Sequence, residues 1–375
     1  MFAELNKRID WIMVFFILPI LGAGLITMKS FSPSLGVSFF EKQILWIIIS
    51  LILFIALSFI DLRFLKRTDI LVYLFLFFTS LLVLLFVFGH RANGARSWFN
   101  LGGFAFQPSD LMMLVLILML SKYFSSRHIE IADFKHIFIS AIYAFVPFLL
   151  VFFEPDFGQA IIIFIIWVGM ILVSGISKKH LLVVFLATIL AFSGLWIFVL
   201  KPYQKARIAN FIHQLTDVRG TGYNAYQSTI AVGSGQILGK GVGYGTQSRL
   251  NFLPEYQTDF IFAAFSEEWG FIGVSILLLL FGLVVWRILN SALIGSGNFE
   301  MLFGMGVAIF FVGHILVNVG MNVGILPVTG VTLPLMSYGG SHLLTEFAAL
   351  GILMSMRRFS RAAHRDDMRN EFLGV

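Results

Sequence analysis

The sequence has no cysteine and little charge, since only 12% of its 375 residues are Asp, Glu, Lys or Arg. Without cysteine, neither disulfides nor thiolate zinc sites can brace the fold. Soluble proteins usually carry about 25% charged residues. The low charge therefore argues against a soluble protein, and no linker or charge run divides the chain into separate domains.

Long apolar runs take the place of charge, with 58% hydrophobic residues and 43 Phe. A run of roughly 17 to 25 apolar residues can cross a membrane core about 30 Å thick, and a helix satisfies its backbone there. We therefore predict an all-α polytopic membrane protein that forms a single membrane domain over residues 1–375. The ten expected spans are 9–28, 43–60, 70–88, 109–124, 137–153, 159–176, 181–200, 260–286, 301–324 and 342–356.

The positions of the 26 Lys and Arg predict the orientation. Sixteen lie in the two tails and in the loops on the same side, whereas four lie in the short loops on the other side. By the positive-inside rule both termini are cytoplasmic. The other six lie in one long outer loop, 201–259. The basic C-terminal tail is best explained by anionic membrane lipids, and we expect no nucleic-acid partner.

Four outer segments contain the polar chemistry, and irregular backbone at membrane depth is expected to line a cavity. They are 90–110, 153–159, the long loop and 326–341. Within the long loop, apolar residues at helical spacing over 203–215 predict a short interfacial helix. The glycine-rich stretch that follows either cradles a phosphate or allows tightly packed re-entrant turns.

Four carboxylates, those of Glu255, Asp259, Glu267 and Glu268, lie at the start of the eighth span. With Thr258 as N-cap, Asp259 would be the first helical residue, where an acid favours the helix dipole. Acids are costly in lipid, so the two glutamates should face protein or water. Carboxylates beside Lys and Arg at the outer leaflet fit group transfer from a lipid phosphate. The alternative is a salt-bridged loop without chemistry.

Three segments, FLPEYQTDFIFAAFSEEWGFIG, GSGQILGKGVGYGTQSRL and NVGMNVGILPVTGVTLPLMSYGGS, resemble the SEDS family of shape, elongation, division and sporulation proteins. The resemblance covers about residues 10–358, and GTQSRLNFLPE and YQKARI are more similar to the rod-shape branch, RodA, than to the division branch, FtsW. It implies a glycosyltransferase that polymerises lipid II into β-1,4-linked glycan strands during elongation. The site would be the outer face of the bacterial cytoplasmic membrane, with a class B penicillin-binding protein as partner.

The resemblance also implies roles for individual residues. Asp259 would be the general base for the attacking sugar hydroxyl, and Glu255 would orient it or raise its pKa. Arg207, Lys240 and Arg249 are expected to contact the pyrophosphate. A divalent cation such as Mg²⁺ would suit carboxylate and phosphate oxygens, although no ligand cluster in the sequence requires one.

Two further motifs match the family. In GARSW, Arg96 and Trp98 are candidate substrate contacts, with Trp98 alternatively an interfacial anchor. Ser97 stands where the family pattern has arginine, which puts the role of Arg96 in question. In SYGGS, the three side chains either line the cavity or only pack: Ser337, Tyr338 and Ser341.

The QPSD motif departs from the family pattern of QPSE followed three residues later by lysine, because Asp110 is followed by Met113. The missing lysine would have been a partner for Asp156, and we interpret both aspartates as structural. In the ninth span a polar stripe at i, i+4 and i+8 predicts hydrogen bonds between helices, with a proton relay as the alternative. Its members are His314, Asn318 and Asn322.

Two rival functions remain for such a chain. A lipid II flippase would need polar lining at both membrane faces, and the cytoplasmic ends of the spans look comparatively bare. A scaffold for a transpeptidase would need no catalytic site. The transferase needs an outer-face base and cations together.

Overall fold

The computed structural model describes the following residues: 9–30, 39–92, 95–101, 104–126, 134–199, 205, 222–250, 252–253, 255–294 and 297–373. Within them, ten long helices and two short ones form the bundle. They are α1 Trp11–Ser30, α2 Phe39–Phe59, α3 Thr68–Phe88, α4 Pro108–Ser125, α5 Phe134–Phe153, α6 Phe157–Val173, α7 Lys178–Gly194, α8 Tyr223–Ser234, α9 Thr246–Arg249, α10 Ile261–Leu293, α11 Asn298–Val323 and α12 Gly340–Leu373. Each expected span lies largely within one of the ten long helices.

Seven described helices are long and apolar enough to cross a membrane, namely α1 to α5, α10 and α11. Shorter apolar helices cover Phe157–Val173 and Lys179–Leu190. The C-terminal part of α12 carries a run of charged residues, so that helix is more polar as a whole. The all-α polytopic membrane fold is confirmed.

A small antiparallel sheet precedes α4, which the sequence analysis did not predict. Its strands, in the order β1-β2-β3, are His90–Ala92, Ala95–Leu101 and Phe104–Phe106. His90 pairs with Trp98, and Phe99 pairs with Phe106. Strand pairing satisfies the backbone of this segment without a further helix.

The centre of the bundle is α4, whose residues Met112 to Leu120 are all buried. It packs against α3, α5, α6, α11 and α12, while α12 also runs along α2 and α10 packs on α1 and α11. A helix that is apolar all round is expected in such a central place. The helices α4, α6, α10 and α12 begin at the end predicted to face outward, which we call the outer end.

Candidate active site

Asp259 lies in a turn immediately before α10, and this turn is held by the SYGGS motif. The Gln257 carbonyl accepts a hydrogen bond from the Tyr338 N–H at 2.8 Å. The next carbonyl, that of Thr258, accepts one from Ser337 Oγ at 2.6 Å. Buried carbonyls outside a helix need such partners. Ser337 and Tyr338 thus fix the turn through one hydroxyl and one backbone N–H.

The third successive carbonyl, that of Asp259, accepts two side-chain amides. Nδ2 of Asn318 and Nδ2 of Asn322 each donate to it at 3.0 Å. Asn318 Nδ2 also donates to the Val331 carbonyl at 2.7 Å. His314, the third residue of the polar stripe, contacts its own helix instead. Its Nδ1 is 2.9 Å from the carbonyl oxygen of Phe310 in the same helix.

The prediction that Thr258 is the N-cap of α10 is wrong. The helix begins at Ile261 with Phe260 at the N-cap position. Thr258 Oγ1 donates instead to the Glu255 carbonyl at 3.2 Å and to Glu255 Oε2 at 3.3 Å. The first helical hydrogen bond that reaches back before Ile261 is that of the Ala264 N–H to the Phe260 carbonyl, whereas the three preceding carbonyls accept from other parts of the chain.

The Asp259 carboxylate is half-buried and faces the turn that follows α11. Its Oδ2 is 3.5 Å from where a Cβ on Gly330 would lie. Glu255 is exposed and has a φ of 51°, in the left-handed region that favours glycine. Backbone strain of this kind often accompanies functional sites. The two acids therefore flank the entrance to α10, as expected.

Glu267 and Glu268 are buried and hold the glycine-rich loop against α10. Glu267 Oε1 accepts from the Thr246 N–H at 2.8 Å and from Lys240 Nζ at 2.7 Å. Glu268 Oε1 accepts from the Gly243 N–H at 2.6 Å. Buried carboxylates need such donors, and charged acceptors give the stronger hydrogen bonds. These two acids face protein rather than lipid, as predicted.

The helical backbone of α10 is interrupted at Gly270, whose φ is 65°. The same loop supplies hydrogen-bond acceptors for the N–H groups that follow. The N–H groups of Phe271 and Ile272 donate to the carbonyls of Gln236 and Ile237 at 2.8 and 3.1 Å. A Cβ on Gly239 would lie 2.1 Å from the Glu268 carbonyl oxygen. Tight packing of turns, one of the two interpretations of the glycine-rich stretch, therefore applies at this position.

The candidate cations fall into three groups. Lys240 is engaged with Glu267 and with Thr246 Oγ1, the latter at 2.9 Å. Arg249 is exposed at the end of α9. Arg207 and the side chain of Arg96 lie outside the described residues, as does the expected interfacial helix over 203–215 except for residue 205. Trp98 is half-buried in the sheet, so its role stays a prediction.

A second polar cluster joins the outer ends of α4, α6 and α12. Asp156 caps α6 by accepting from the Gln159 N–H at 3.3 Å, and it accepts from Gln107 Nε2 at 2.9 Å. Gln159 Nε2 donates to Asp110 at 3.3 Å. Ser341 Oγ donates to the Gln107 carbonyl at 3.2 Å. Ser341 thus packs within this cluster, and both aspartates bond to protein groups.

His342 lies beside Asp110 in the same cluster. Its Nδ1 is 3.4 Å from Asp110 Oδ1, and its Nε2 is 3.0 Å from Glu346 Oε1. Met113 is fully buried. His342 and Glu346 were not among the expected site residues, although two ionisable residues at i and i+4 in an apolar helix are a signal. Burying the carboxylates of Asp110 and Glu346 is costly unless each has a close partner, and the His342 imidazole lies next to both.

No group of three or more His, Asp or Glu side chains among the described residues is arranged to hold a metal ion. Glu267 and Glu268 are occupied by loop donors, and Asp110 by Gln159 and His342. A divalent cation at the site therefore stays a prediction.

Comparison with known proteins gives concordant matches. The profile of the FtsW, RodA and SpoVE family, described as cell cycle proteins, matches residues 9–362. The chain is 34% identical to stage V sporulation protein E of Bacillus subtilis over 94% of this chain and 98% of the relative. It is 38% identical to the peptidoglycan glycosyltransferase MrdB of Escherichia coli K12 over 76% of each chain.

Solved structures agree with these matches. A chain from a structure on the coordination of polymerization and crosslinking by a peptidoglycan synthase complex has a TM-score of 0.80 at 31% identity, covering 94% of this chain and 98% of that one. The rod shape determining protein RodA of Thermus thermophilus has a TM-score of 0.70 at 29% identity, covering 94% and 97%. Similar relatives carry sporulation, rod-shape and FtsW names, so these matches do not distinguish a branch.

Proposed function

Because the chain belongs to the FtsW, RodA and SpoVE family, we propose that it is a peptidoglycan glycosyltransferase that polymerises lipid II at the outer face of the bacterial cytoplasmic membrane. A relative with 38% identity bears the name peptidoglycan glycosyltransferase. The observation that carries the proposal is the half-buried carboxylate of Asp259 on a turn fixed by four separate donors.

In the proposed reaction Asp259 takes the proton from the 4-hydroxyl of one lipid II molecule. The hydroxyl oxygen then bonds to the anomeric carbon of the growing chain, and the bond from that carbon to the undecaprenyl pyrophosphate breaks. Inversion at the carbon gives the β-1,4 linkage. A positioned base contributes typically 10² to 10⁴-fold to such a step. Glu255, 3.3 Å from Thr258 Oγ1 at the mouth of the turn, would assist by orientation.

The cations have different places in this proposal. Lys240 is bound to Glu267, so it shapes the loop and adds positive charge from a side chain that is 30% exposed. Arg249 is exposed and free to turn toward a phosphate from α9. Arg207 keeps the role that the family resemblance gives it. Positive groups near the developing pyrophosphate charge would favour its departure.

The proposed polymerisation would take place during cell elongation, together with a transpeptidase partner. The segments GTQSRLNFLPE and YQKARI, which are more similar to the rod-shape branch, support a role in rod-shape growth. The structure concerned with polymerization and crosslinking supports a class B penicillin-binding protein as partner.

A flippase and a noncatalytic scaffold are the rival functions. The ends of the helices opposite Asp259 are not bare, since buried ion pairs join Asp10, Arg287 and Arg357 there. These ends therefore give no reason to exclude a flippase, as bare ends would, and the assay with lipid II must separate the two functions.

The test uses purified protein in detergent with lipid II. We expect glycan strands from the wild type and at least about a 100-fold slower reaction from Asp259→Asn, because the variant has no base. The control is Asp61→Asn, a carboxylate exposed at the other end of the bundle. Thermal unfolding checks folding of both variants. Equal rates for wild type and Asp259→Asn would remove Asp259 from the mechanism. Movement of lipid II across vesicles without polymer would favour the flippase, and neither activity would favour the scaffold.

A further inference from the structure

The backbone of Asp259 is held from α11 by an amide pair with no exposed surface. Asn318 and Asn322 are both 0% exposed. They lie four residues apart, so both face the same side of the helix. Their Nδ2 atoms converge on one oxygen, the Asp259 carbonyl, at 3.0 Å each. One donor would satisfy a buried carbonyl, so the second donor adds a constraint on its direction.

Other contacts fix the orientation of these amides. Asn322 Oδ1 accepts a hydrogen bond from Ser228 Oγ at 3.1 Å, and its Nδ2 lies 3.3 Å from Asn318 Oδ1. With their oxygens engaged as acceptors, the amide nitrogens must point to Asp259. The pair is therefore rigid, because any rotation of one amide breaks at least two hydrogen bonds.

Asn318 also contacts the wall that faces the carboxylate. Its Nδ2 donates to the Val331 carbonyl at 2.7 Å, and Val331 follows Gly330, which lies beside Asp259 Oδ2. One amide thus fixes the distance between the backbone of Asp259 and the turn opposite its side chain.

We propose that Asn318 and Asn322 are positioning residues for Asp259, which hold its carbonyl so that the carboxylate stays aligned with the reacting hydroxyl. This inference rests on the proposed function of Asp259. Neither asparagine touches the substrate in this account. A base displaced by about 1 Å can lose on the order of 100-fold in rate, so the asparagines should affect turnover more than binding.

The shared acceptor predicts a specific pattern for Asn318→Leu, Asn322→Leu and the double variant. Each single variant removes one of the two amide donors to the Asp259 carbonyl, so we expect kcat to fall about 3- to 10-fold. The double variant removes both amide donors, and we expect at least about a 100-fold fall, more than the product of the single effects, because residues in one network couple. KM for lipid II should stay within about 2-fold of wild type. Asn322→Gln, which keeps an amide donor, should recover part of the rate.

The control is Ser355→Ala, which removes another buried donor to a backbone carbonyl, that of Ile60, at the opposite end of the bundle. It should leave kcat unchanged. A wild-type kcat in the double variant, purely multiplicative effects, or a loss that appears as a raised KM or only with a lowered unfolding midpoint would overturn the proposal. If the double variant does not fold, the single variants test the proposal by their kcat, their KM for lipid II and their unfolding midpoint. An unchanged kcat in both, or a loss seen only as a raised KM or with a lowered midpoint, overturns it.

A parallel measurement on Asp259→Asn separates the two hypotheses. Wild-type turnover in that variant would refute the base, and the positioning role with it. An inactive Asp259→Asn together with fully active asparagine variants would refute the positioning role alone.

Discussion

Glu154 shows how a single buried acid makes stability depend on pH. It is 1% exposed, and neither carboxylate oxygen has a hydrogen-bond partner among the described residues. Burial, with a smaller effect of the Asp156 charge, raises the pKa of Glu154 to about 9. Burial also raises the pKa of Asp156 to about 6, although the Gln159 N–H opposes this. The folded protein therefore keeps Glu154 protonated at neutral pH.

The sign of the effect follows from proton binding. Between the ordinary glutamate pKa of 4.5 and the folded value of about 9, the folded state binds more protons than the unfolded state. The free energy of unfolding must then decrease as pH rises through this range. We expect Glu154→Gln to raise it by at least about 1 kcal/mol at pH near 8, with little change near pH 4.5. Thermal unfolding across this range measures the effect.

The matched control is Glu41→Gln, which changes an exposed glutamate. It should unfold with the same pH dependence as wild type. If Glu154→Gln also keeps the wild-type slope, the buried carboxylate is not the titrating group.

At the level of the element, α10 depends on a partner segment to be continuous. At Gly270 the helix turns through a φ of 65°, and the backbone groups released there bond to the turn around Gly239. A Cβ on Gly270 would lie 2.2 Å from the Gly239 nitrogen. Both the left-handed backbone and the close approach therefore require glycine. The loop that carries Lys240 and Arg249 is positioned by this break.

We expect Gly270→Ala to lower the free energy of unfolding by about 2 to 4 kcal/mol, or to prevent folding, because clash and strain combine. Gly282→Ala on the same helix is the control, since nothing lies within 4 Å of a Cβ there. That variant should be neutral or more stable by up to about 1 kcal/mol, as alanine favours a helix. Thermal unfolding in detergent compares the two variants. Equal stability of both would refute the proposed constraint.

At the scale of the whole molecule, ion pairs join distant parts of the chain at the end opposite the site. Asp10 Oδ2 accepts from Arg287 Nε at 3.1 Å and from Arg357 Nη1 at 2.7 Å. Arg357 also donates to Ser291 at 3.2 Å. The pKa of Asp10 is lowered, because the hydrogen bonds and charge of the two arginines outweigh its burial. The start of the chain is thereby fixed to α10 and α12.

Asp10→Asn should destabilise the protein by about 2 to 3 kcal/mol, because two partly buried arginines lose their shared counter-charge. Asp61→Asn, in an exposed pair with Arg63, should cost at most about 1 kcal/mol. Chemical or thermal unfolding of both variants measures the difference. A loss no larger than that of the exposed pair would show that the buried ion pairs do not hold the bundle together.

The sequence by itself determined the helical membrane fold, because each apolar run must satisfy its own backbone where water is absent. Composition and neighbouring residues also predicted that Glu267 and Glu268 face protein or water. The choice of Asp259 as the base came from the resemblance to the SEDS family. The rod-shape branch, the catalytic roles and the cytoplasmic orientation stay predictions.

Only the tertiary structure decided which polar groups meet. Thr258 is not an N-cap, since α10 begins at Ile261, and its carbonyl accepts a hydrogen bond from Ser337, 79 residues away. His342 lies beside Asp110, which is 232 residues away in the sequence. Lys240 bonds to Glu267 across the glycine-rich loop. The physical reason is that a buried polar group must find a partner wherever helix packing supplies one, and spacing along the chain does not encode that packing.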